Sequence, residues 1–126
     1  MSYWVQHLDE APAYITKDGS EIRELMHPNV QGNRLQSLAE ARIPAGQSTR
    51  LHRHRVTEEI YHVTAGRGWL TLGDQQLALG PGDSVYIPPG TPHCLRVMGA
   101  ETLRLLCCCS PAYSHQDTEL LDETLA

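Results

Sequence analysis

Short apolar runs broken by glycine and proline turns recur between residues 34 and 110 of the chain. Many of these runs alternate apolar and polar positions or are rich in β-branched and aromatic residues, which is typical of β-strands. The pattern predicts extended segments at residues 34–43, 58–64, 68–72, 76–79, 84–87, 94–97 and 101–109. Seven or more short strands with regular turns indicate an all-β fold, either an antiparallel sandwich or a barrel.

Helical periodicity is weak throughout the chain. Residues 21–26 are one candidate for a brief helical turn, although the same residues could equally be extended. Residues 118–124 are a second candidate, close to the C-terminus. We therefore expect at most two short helical pieces, both outside the strand-rich region.

The length of 126 residues predicts one domain, residues 1–126. We divide it into an N-terminal extension (1–33), a barrel core (about 34–110) and a C-terminal tail (111–126). The net charge of −5 argues against a nucleic-acid-binding protein. Because we find neither a signal-peptide core nor an apolar stretch of about 18 residues, we expect a cytoplasmic protein without a membrane partner.

Three of the four cysteines are adjacent, at Cys107, Cys108 and Cys109, and the fourth is Cys94. Adjacent cysteines are poorly placed to pair with each other, and the chain has no CxxC motif for zinc. The run follows Leu105 and its apolar neighbours, so it reads as the end of a buried strand. We interpret these thiols as reduced, unreactive core residues, which suits the cytosol.

Four side chains form a candidate metal site. His52 and His54 are two positions apart, so in a strand they project from the same face. Glu59 follows on the next predicted strand, and His93 comes after a proline-rich loop. Three imidazoles and one carboxylate suit one divalent transition-metal ion, either Fe, Mn, Ni, Zn or Cu, and are too rich in nitrogen for calcium. Glu58 is the alternative to Glu59, and we interpret it as solvated.

Two spaced motifs around these residues resemble those of the cupin family. The first is Gly46-x5-His52-x-His54-x4-Glu59-x6-Gly66, and the second is Gly82-x5-Pro88-x-Gly90-x2-His93. The second motif usually ends in an asparagine, at the position of Val97 in this chain. That difference leaves the ligand set intact.

The resemblance implies the cupin jelly roll, an antiparallel β-barrel or double-stranded β-helix, with short N- and C-terminal extensions. It also implies that the metal ligands are His52, His54, Glu59 and His93. Small cupins include oxygenases, isomerases and lyases, so we expect a metal-dependent enzyme that acts on a small molecule. The alternatives are a metal-dependent binding or sensor protein without catalysis, and a structural barrel. A homodimer is expected, formed through the segment before the first motif.

Catalytic and substrate-binding residues are less strongly indicated. Glu59 and Tyr61 share one strand face, so both are candidate catalytic residues, and Tyr61 could also contact the substrate. Arg34 and Gln36 would suit an anionic or hydroxylated ligand if their strand face points inward. The opposite face carries Ala39, among other apolar residues. Alternation alone leaves open which of the two faces lines the cavity.

Overall fold

The computed structural model describes residues 4–121, which form two antiparallel sheets and one short 3-10 helix, Leu8–Glu10. In chain order the strands are β1 (Ala13–Ile15), β2 (Glu21–Met26), β3 (Ser37–Ile43), β4 (His52–His54), β5 (Glu58–Ala65), β6 (Arg67–Leu72), β7 (Gln75–Leu79), β8 (Ser84–Ile87), β9 (His93–Met98), β10 (Leu103–Ser110) and β11 (Thr118–Leu120). Within this part of the chain, no helix is long and apolar enough to cross a membrane.

The two sheets interleave strands from distant parts of the chain. The larger sheet has the order β1-β2-β3-β10-β5-β8, and the smaller has the order β11-β4-β9-β6-β7. Both sheets contribute side chains to one hydrophobic core, for example Val63 and Leu105 from the larger and Leu70 and Leu95 from the smaller. The expected all-β jelly roll is therefore confirmed.

The predicted strands are present, and all but the one at residues 84–87 have shifted ends. The largest shift is at the first, which begins at Ser37 rather than at Arg34. The ambiguous residues 21–26 are extended, because β2 pairs along β3. The helix expected at 118–124 is wrong for its first three residues, which form β11, and residues 122–124 lie outside the described residues. Pairing of Thr118 with His54 and of Leu120 with His52 outweighs the local helical tendency.

The strands outside the central region complete both sheets. Strands β1 and β2 come from the N-terminal extension and join the larger sheet, and β11 comes from the C-terminal tail and joins the smaller one. Ser37, Ala39, Ala41 and Ile43 form the inward face of β3 and are buried. Glu40, on the opposite face, is buried as well, and it accepts hydrogen bonds from Arg42 and Arg104. The inward face lines the cavity described below.

Gly66 connects β5 to β6 and lies against the backbone of Thr102 and Leu103, which leaves no room for a side chain. Its φ is +78°, a left-handed conformation that favours glycine. A Cβ atom there would lie 2.5 Å from the backbone oxygen of Thr102 and 2.9 Å from Cα of Leu103. Gly46 has a similar φ of +79°, but a Cβ atom on it would meet nothing within 4 Å.

We predict that Gly66→Ala is far more destabilising than Gly46→Ala. The Gly46 variant meets only the left-handed backbone cost of about 1–2 kcal/mol. The Gly66 variant adds a clash with backbone atoms, so we expect a loss of about 4 kcal/mol or more. Urea unfolding followed by circular dichroism measures both free energies of unfolding. Equal losses in the two variants would contradict the close approach at Gly66.

Candidate metal centre

The smaller sheet brings the three motif histidines together. His52 and His54 lie on one face of β4, and His93 on β9 pairs directly opposite His52. All three are buried, at 2%, 4% and 0% exposure respectively. Their ring nitrogens lie within 4.8 Å of one another, close enough to share a metal ion. The histidine part of the predicted site is thus assembled by register within one sheet.

Glu59 approaches the histidines from the other sheet. It lies on β5, is 5% exposed, and shares its inward face with Tyr61 and Val63. Its Oε1 atom is 3.2 Å from Nε2 of His54 and 3.4 Å from Nε2 of His93. Glu58 on the same strand is exposed and accepts a hydrogen bond from Tyr86. The structure therefore places Glu59 rather than Glu58 beside the histidines.

A hydrogen bond fixes the orientation of each histidine ring. The Nδ1 atoms of His52 and His93 lie 2.7 Å and 2.9 Å from the carbonyl oxygens of Arg50 and Thr91. A carbonyl can only accept, so both Nδ1 atoms carry the proton. Nδ1 of His54 lies 3.0 Å from the Thr118 hydroxyl, as described next. Metal-binding histidines in proteins are commonly oriented in this way.

Thr118 fixes the third histidine in the same tautomer. Its hydroxyl donates its proton to the carbonyl of Ser114 at 2.9 Å, so it accepts from Nδ1 of His54. Each neutral histidine then has an unprotonated Nε2 directed at its neighbours. Burial, followed by the nearby His93, lowers the pKa of His52 to about 4, which keeps that ring neutral at physiological pH.

Two buried atoms at the centre have no hydrogen-bond partner, namely Oε1 of Glu59 and Nε2 of His93. With Nδ1 protonated in each ring, Oε1 of Glu59 and the facing Nε2 atoms of His54 and His93 are all acceptors, with no proton between them. A cation satisfies all of these atoms at once, so the donor set fits a divalent metal ion.

Cys109 holds the other oxygen of Glu59. It pairs opposite Glu59 in the sheet, and its thiol donates to Oε2 at 3.3 Å. Burial, and then the charge of Glu59, raises the pKa of Cys109, so the thiol stays protonated and remains a donor. This contact leaves Oε1 to face the histidines. Cys109 thus has a role at the site that its interpretation as a core thiol did not include.

Tyr61 lies next to the histidines as well. Its ring is buried and meets the ring of His93 edge-on, with centroids 6.0 Å apart. Burial, and then the charge of Glu59, raises the pKa of Tyr61 well above its ordinary value, so its hydroxyl is protonated. The expectation that it faces the cavity agrees with the structure, where it belongs to the cavity wall.

Arg34 and Gln36 are not part of this cavity. Both are exposed and precede β3, whose inward face carries small and apolar side chains instead. The condition on which their expected role depended, an inward orientation, is not met. They line a separate surface depression together with Asn33 and Leu35.

Asp18 reaches the site from a part of the chain that the motifs do not cover. It lies in the turn between β1 and β2, and its Oδ2 atom is 3.6 Å from Nε2 of His52. Its Oδ1 atom accepts from the hydroxyls of Thr16 and Ser20. Like Thr118, Asp18 reaches the site only through tertiary packing, and no local pattern in the sequence pointed to either.

The comparisons with known proteins agree with this geometry. The sequence model described as Cupin domain matches residues 39–109, more than half of the chain. The chain belongs to the cupin family. It is 51% identical to the uncharacterized protein MJ1618 of Methanocaldococcus jannaschii over 90% of this chain and 91% of that protein.

Solved cupin structures share the fold. The polyketide cyclase RemF from Streptomyces resistomycificus superposes with a TM-score of 0.76 at 27% identity, covering 87% of this chain and 80% of that one. A predicted oxalate decarboxylase from Thermotoga maritima superposes with a TM-score of 0.75 at 23% identity, covering 86% and 99%. Both structures thus share the fold of this chain, whose own histidine triad could hold a metal ion.

We predict that the inward-facing thiols Cys107 and Cys109 react slowly in the folded protein. Both are buried, and burial raises the pKa of each, whereas Cys94 is half-buried. Cys108 faces outward and is only partly buried, so the expectation that all three adjacent cysteines are core residues does not hold for Cys108. In a Cys108→Ser variant we expect one fast label, at Cys94. The other two should react at least about a hundredfold more slowly than in the unfolded chain.

Intact mass spectrometry after timed exposure to a thiol reagent counts these labels. A Cys94→Ser, Cys108→Ser double variant is the control and should show no fast label. Fast labelling of Cys107 or Cys109 in the folded double variant would contradict the inward orientation of these two residues.

Proposed function

We propose that this protein is a metal-dependent enzyme that acts on a small molecule through a mononuclear site of three histidines and one glutamate. Two observations carry the proposal. The ring nitrogens of His52, His54 and His93 lie within 4.8 Å of one another, and Nε2 of His54 and of His93 faces Oε1 of Glu59, an atom that is buried without a partner. His52, His54, His93 and Glu59 would hold the ion. The candidate metals remain iron, manganese, nickel, zinc and copper.

Such an ion supplies Lewis-acid chemistry, or dioxygen chemistry if it is iron. The chain's own residues would bind and orient the substrate beside it. Glu59 would be ionised as a metal ligand, and burial raises the pKa of Tyr61 so that its hydroxyl keeps its proton. The pair would offer a proton acceptor and a proton donor on one strand face. Asp18 adds a second carboxylate within the same cavity. Polar groups gathered in this way support an enzyme over a structural barrel.

The expected loss of metal in ligand variants tests the proposal. We expect about one divalent ion per chain in the protein as isolated, and loss of most of it in His52→Ala and His93→Ala, because each variant removes a nitrogen ligand. Elemental analysis should be made on protein purified anaerobically, without metal supplementation or chelating resin. The metal that is found also separates oxygenase from isomerase or lyase chemistry.

His62→Ala is the matched control. His62 lies on the outward face of β5 and contacts Ser84, so this variant should keep its metal. Circular dichroism confirms that each variant is folded, and Glu59→Gln provides a ligand variant of unchanged shape. Stoichiometric metal in both histidine variants would contradict the assigned site.

We also propose that the protein forms a homodimer through the outer face of the larger sheet. Leu38, Cys108, Ile60 and Tyr86 are consecutive partners across four neighbouring strands. Leu38, Ile60 and Tyr86 are 36%, 46% and 50% exposed, which leaves an apolar row on the surface. A two-fold axis would pack this row against its copy. The segment before the first motif, expected at a dimer contact, forms β1 and β2, and these strands pair with each other and with β3.

The dimer is tested with Ile60→Glu. A charge in the middle of the apolar row should dissociate the dimer, since the ionised group would have to be buried without a partner. Light scattering coupled to gel filtration measures the mass. Val56→Glu, at a loop residue that is 64% exposed, is the control and should stay dimeric. A monomeric wild-type protein would contradict the proposal.

A further inference from the structure

The cavity beside the histidines is too small to enclose an ordinary substrate. Its free space is about 50 Å³, whereas pockets that hold small organic ligands measure about 300–1,000 Å³. A second pocket, of about 450 Å³, adjoins it. Tyr14, Glu24 and Tyr113 line both spaces. A ligand larger than a few atoms would therefore bind mainly in the outer pocket and reach the histidines past these three residues.

Two polar atoms at this boundary are buried without a partner. Tyr14 donates its hydroxyl proton to Oε1 of Glu24 at 2.5 Å, and Oε2 of Glu24 has no hydrogen-bond partner. The hydroxyl of Tyr113 is also unpartnered. A buried polar group without a hydrogen bond is destabilising. A ligand donor that pairs with Glu24 would remove this destabilisation, so the boundary favours a polar molecule.

The position of Tyr113 is set by a histidine. Nδ1 of His27 accepts the backbone N–H of Asn29 at 3.1 Å, so this nitrogen is unprotonated. Nε2 of His27 then carries the proton and donates to the backbone oxygen of Tyr113 at 2.8 Å. The outer pocket continues to the exposed residues His115 and Gln116. Hydrogen bonds of His27 to Asn29 and Tyr113 thus hold this part of the wall of the outer pocket in place.

The charges around the two spaces are predominantly negative. Asp18, Glu24 and Glu59 line the inner cavity, and among residues 4–121 no lysine or arginine lines either space. Lys17 lies outside both linings, and its ammonium donates to the carbonyls of Thr118 at 2.8 Å and His115 at 3.4 Å. A divalent ion would neutralise two of the three lining carboxylates and leave one negative charge among the lining groups. An anionic ligand would be repelled by the remaining charge.

We propose that the ligand of this site is a neutral or cationic small molecule rich in hydrogen-bond donors, whose body occupies the outer pocket and donates to Oε2 of Glu24. The inference rests on the proposed metal site and names the class of its substrate. A hydroxylated compound or an amino alcohol fits this description. A carboxylate or phosphate compound of the same size does not, because it brings a negative charge next to Glu24 and Asp18.

Three probes with the same head group test the proposal. They are 4-aminobutane-1,2-diol, butane-1,2,4-triol and 3,4-dihydroxybutanoate, which offer the same diol to the metal and differ in the charge of the tail. Calorimetric titration of the metal-loaded protein measures their dissociation constants. We expect the ammonium and the triol compounds to bind at least about tenfold more tightly than the carboxylate, because of the repulsion by Glu24. Tightest binding by the carboxylate compound would overturn the proposal.

Glu24→Gln keeps the shape of the side chain and removes its charge. In this variant we expect the dissociation constant of the carboxylate compound, divided by that of the ammonium compound, to fall by about tenfold. Glu58→Gln, on the outer face of the sheet, is the matched control and should leave the preference unchanged. Glu24→Ala is a second variant, in case Glu24→Gln does not fold. The order of the three affinities is measured on the wild-type protein and so does not depend on either variant. An unchanged preference in both Glu24 variants would contradict the role of this residue.

The metal content of each sample keeps the two proposals separate. A protein that binds no metal would contradict the proposed function and this inference with it. A metal-loaded protein that prefers the carboxylate compound would contradict only the inference. Fold is checked in each variant by circular dichroism.

Discussion

The position of one proton on each buried histidine determines what the cavity can do. The acceptors opposite Nδ1 are the carbonyls of Arg50 and Thr91 and the hydroxyl of Thr118. Because these atoms hold the Nδ1 protons, three unprotonated nitrogens lie close together, and those of His54 and His93 face the carboxylate of Glu59. With the opposite tautomers, Nε2 of His54 and of His93 would donate to Glu59, and these contacts would be satisfied without a cation. The same three acceptors that order the rings therefore also create the need for positive charge.

The rest of the architecture serves this arrangement through strand register. His52 and His93 are cross-strand partners in the smaller sheet, and Glu59 and Cys109 are partners in the larger one. A shift of one residue in either pairing would turn these side chains to the outside of the barrel. The core between the sheets, including Leu70 and Leu105, is what holds both registers.

Much of the fold and of the ligand set could be predicted from the sequence because these features have local signals. Strand alternation and glycine-rich turns are visible within about ten residues, and His52 and His54 are two positions apart in one strand. The role of Thr118 was not visible, since it depends on pairing between β11 and β4 across 64 positions of the chain. Asp18 likewise depends on a turn folding over His52, and the inward face of β3, opposite to Arg34, depends on tertiary packing.

The residues of the cavity come from two different sources along the chain. The segment matched by the cupin family, residues 39–109, supplies all four proposed ligands. The flanking segments supply Tyr14, Asp18, Glu24 and Tyr113, which complete the wall of the cavity around these ligands. Changes in the flanks can alter selectivity while the metal-binding residues stay the same. Within such a family, specificity could therefore diverge through the ends of the chain, and proteins with identical ligands need not share a substrate.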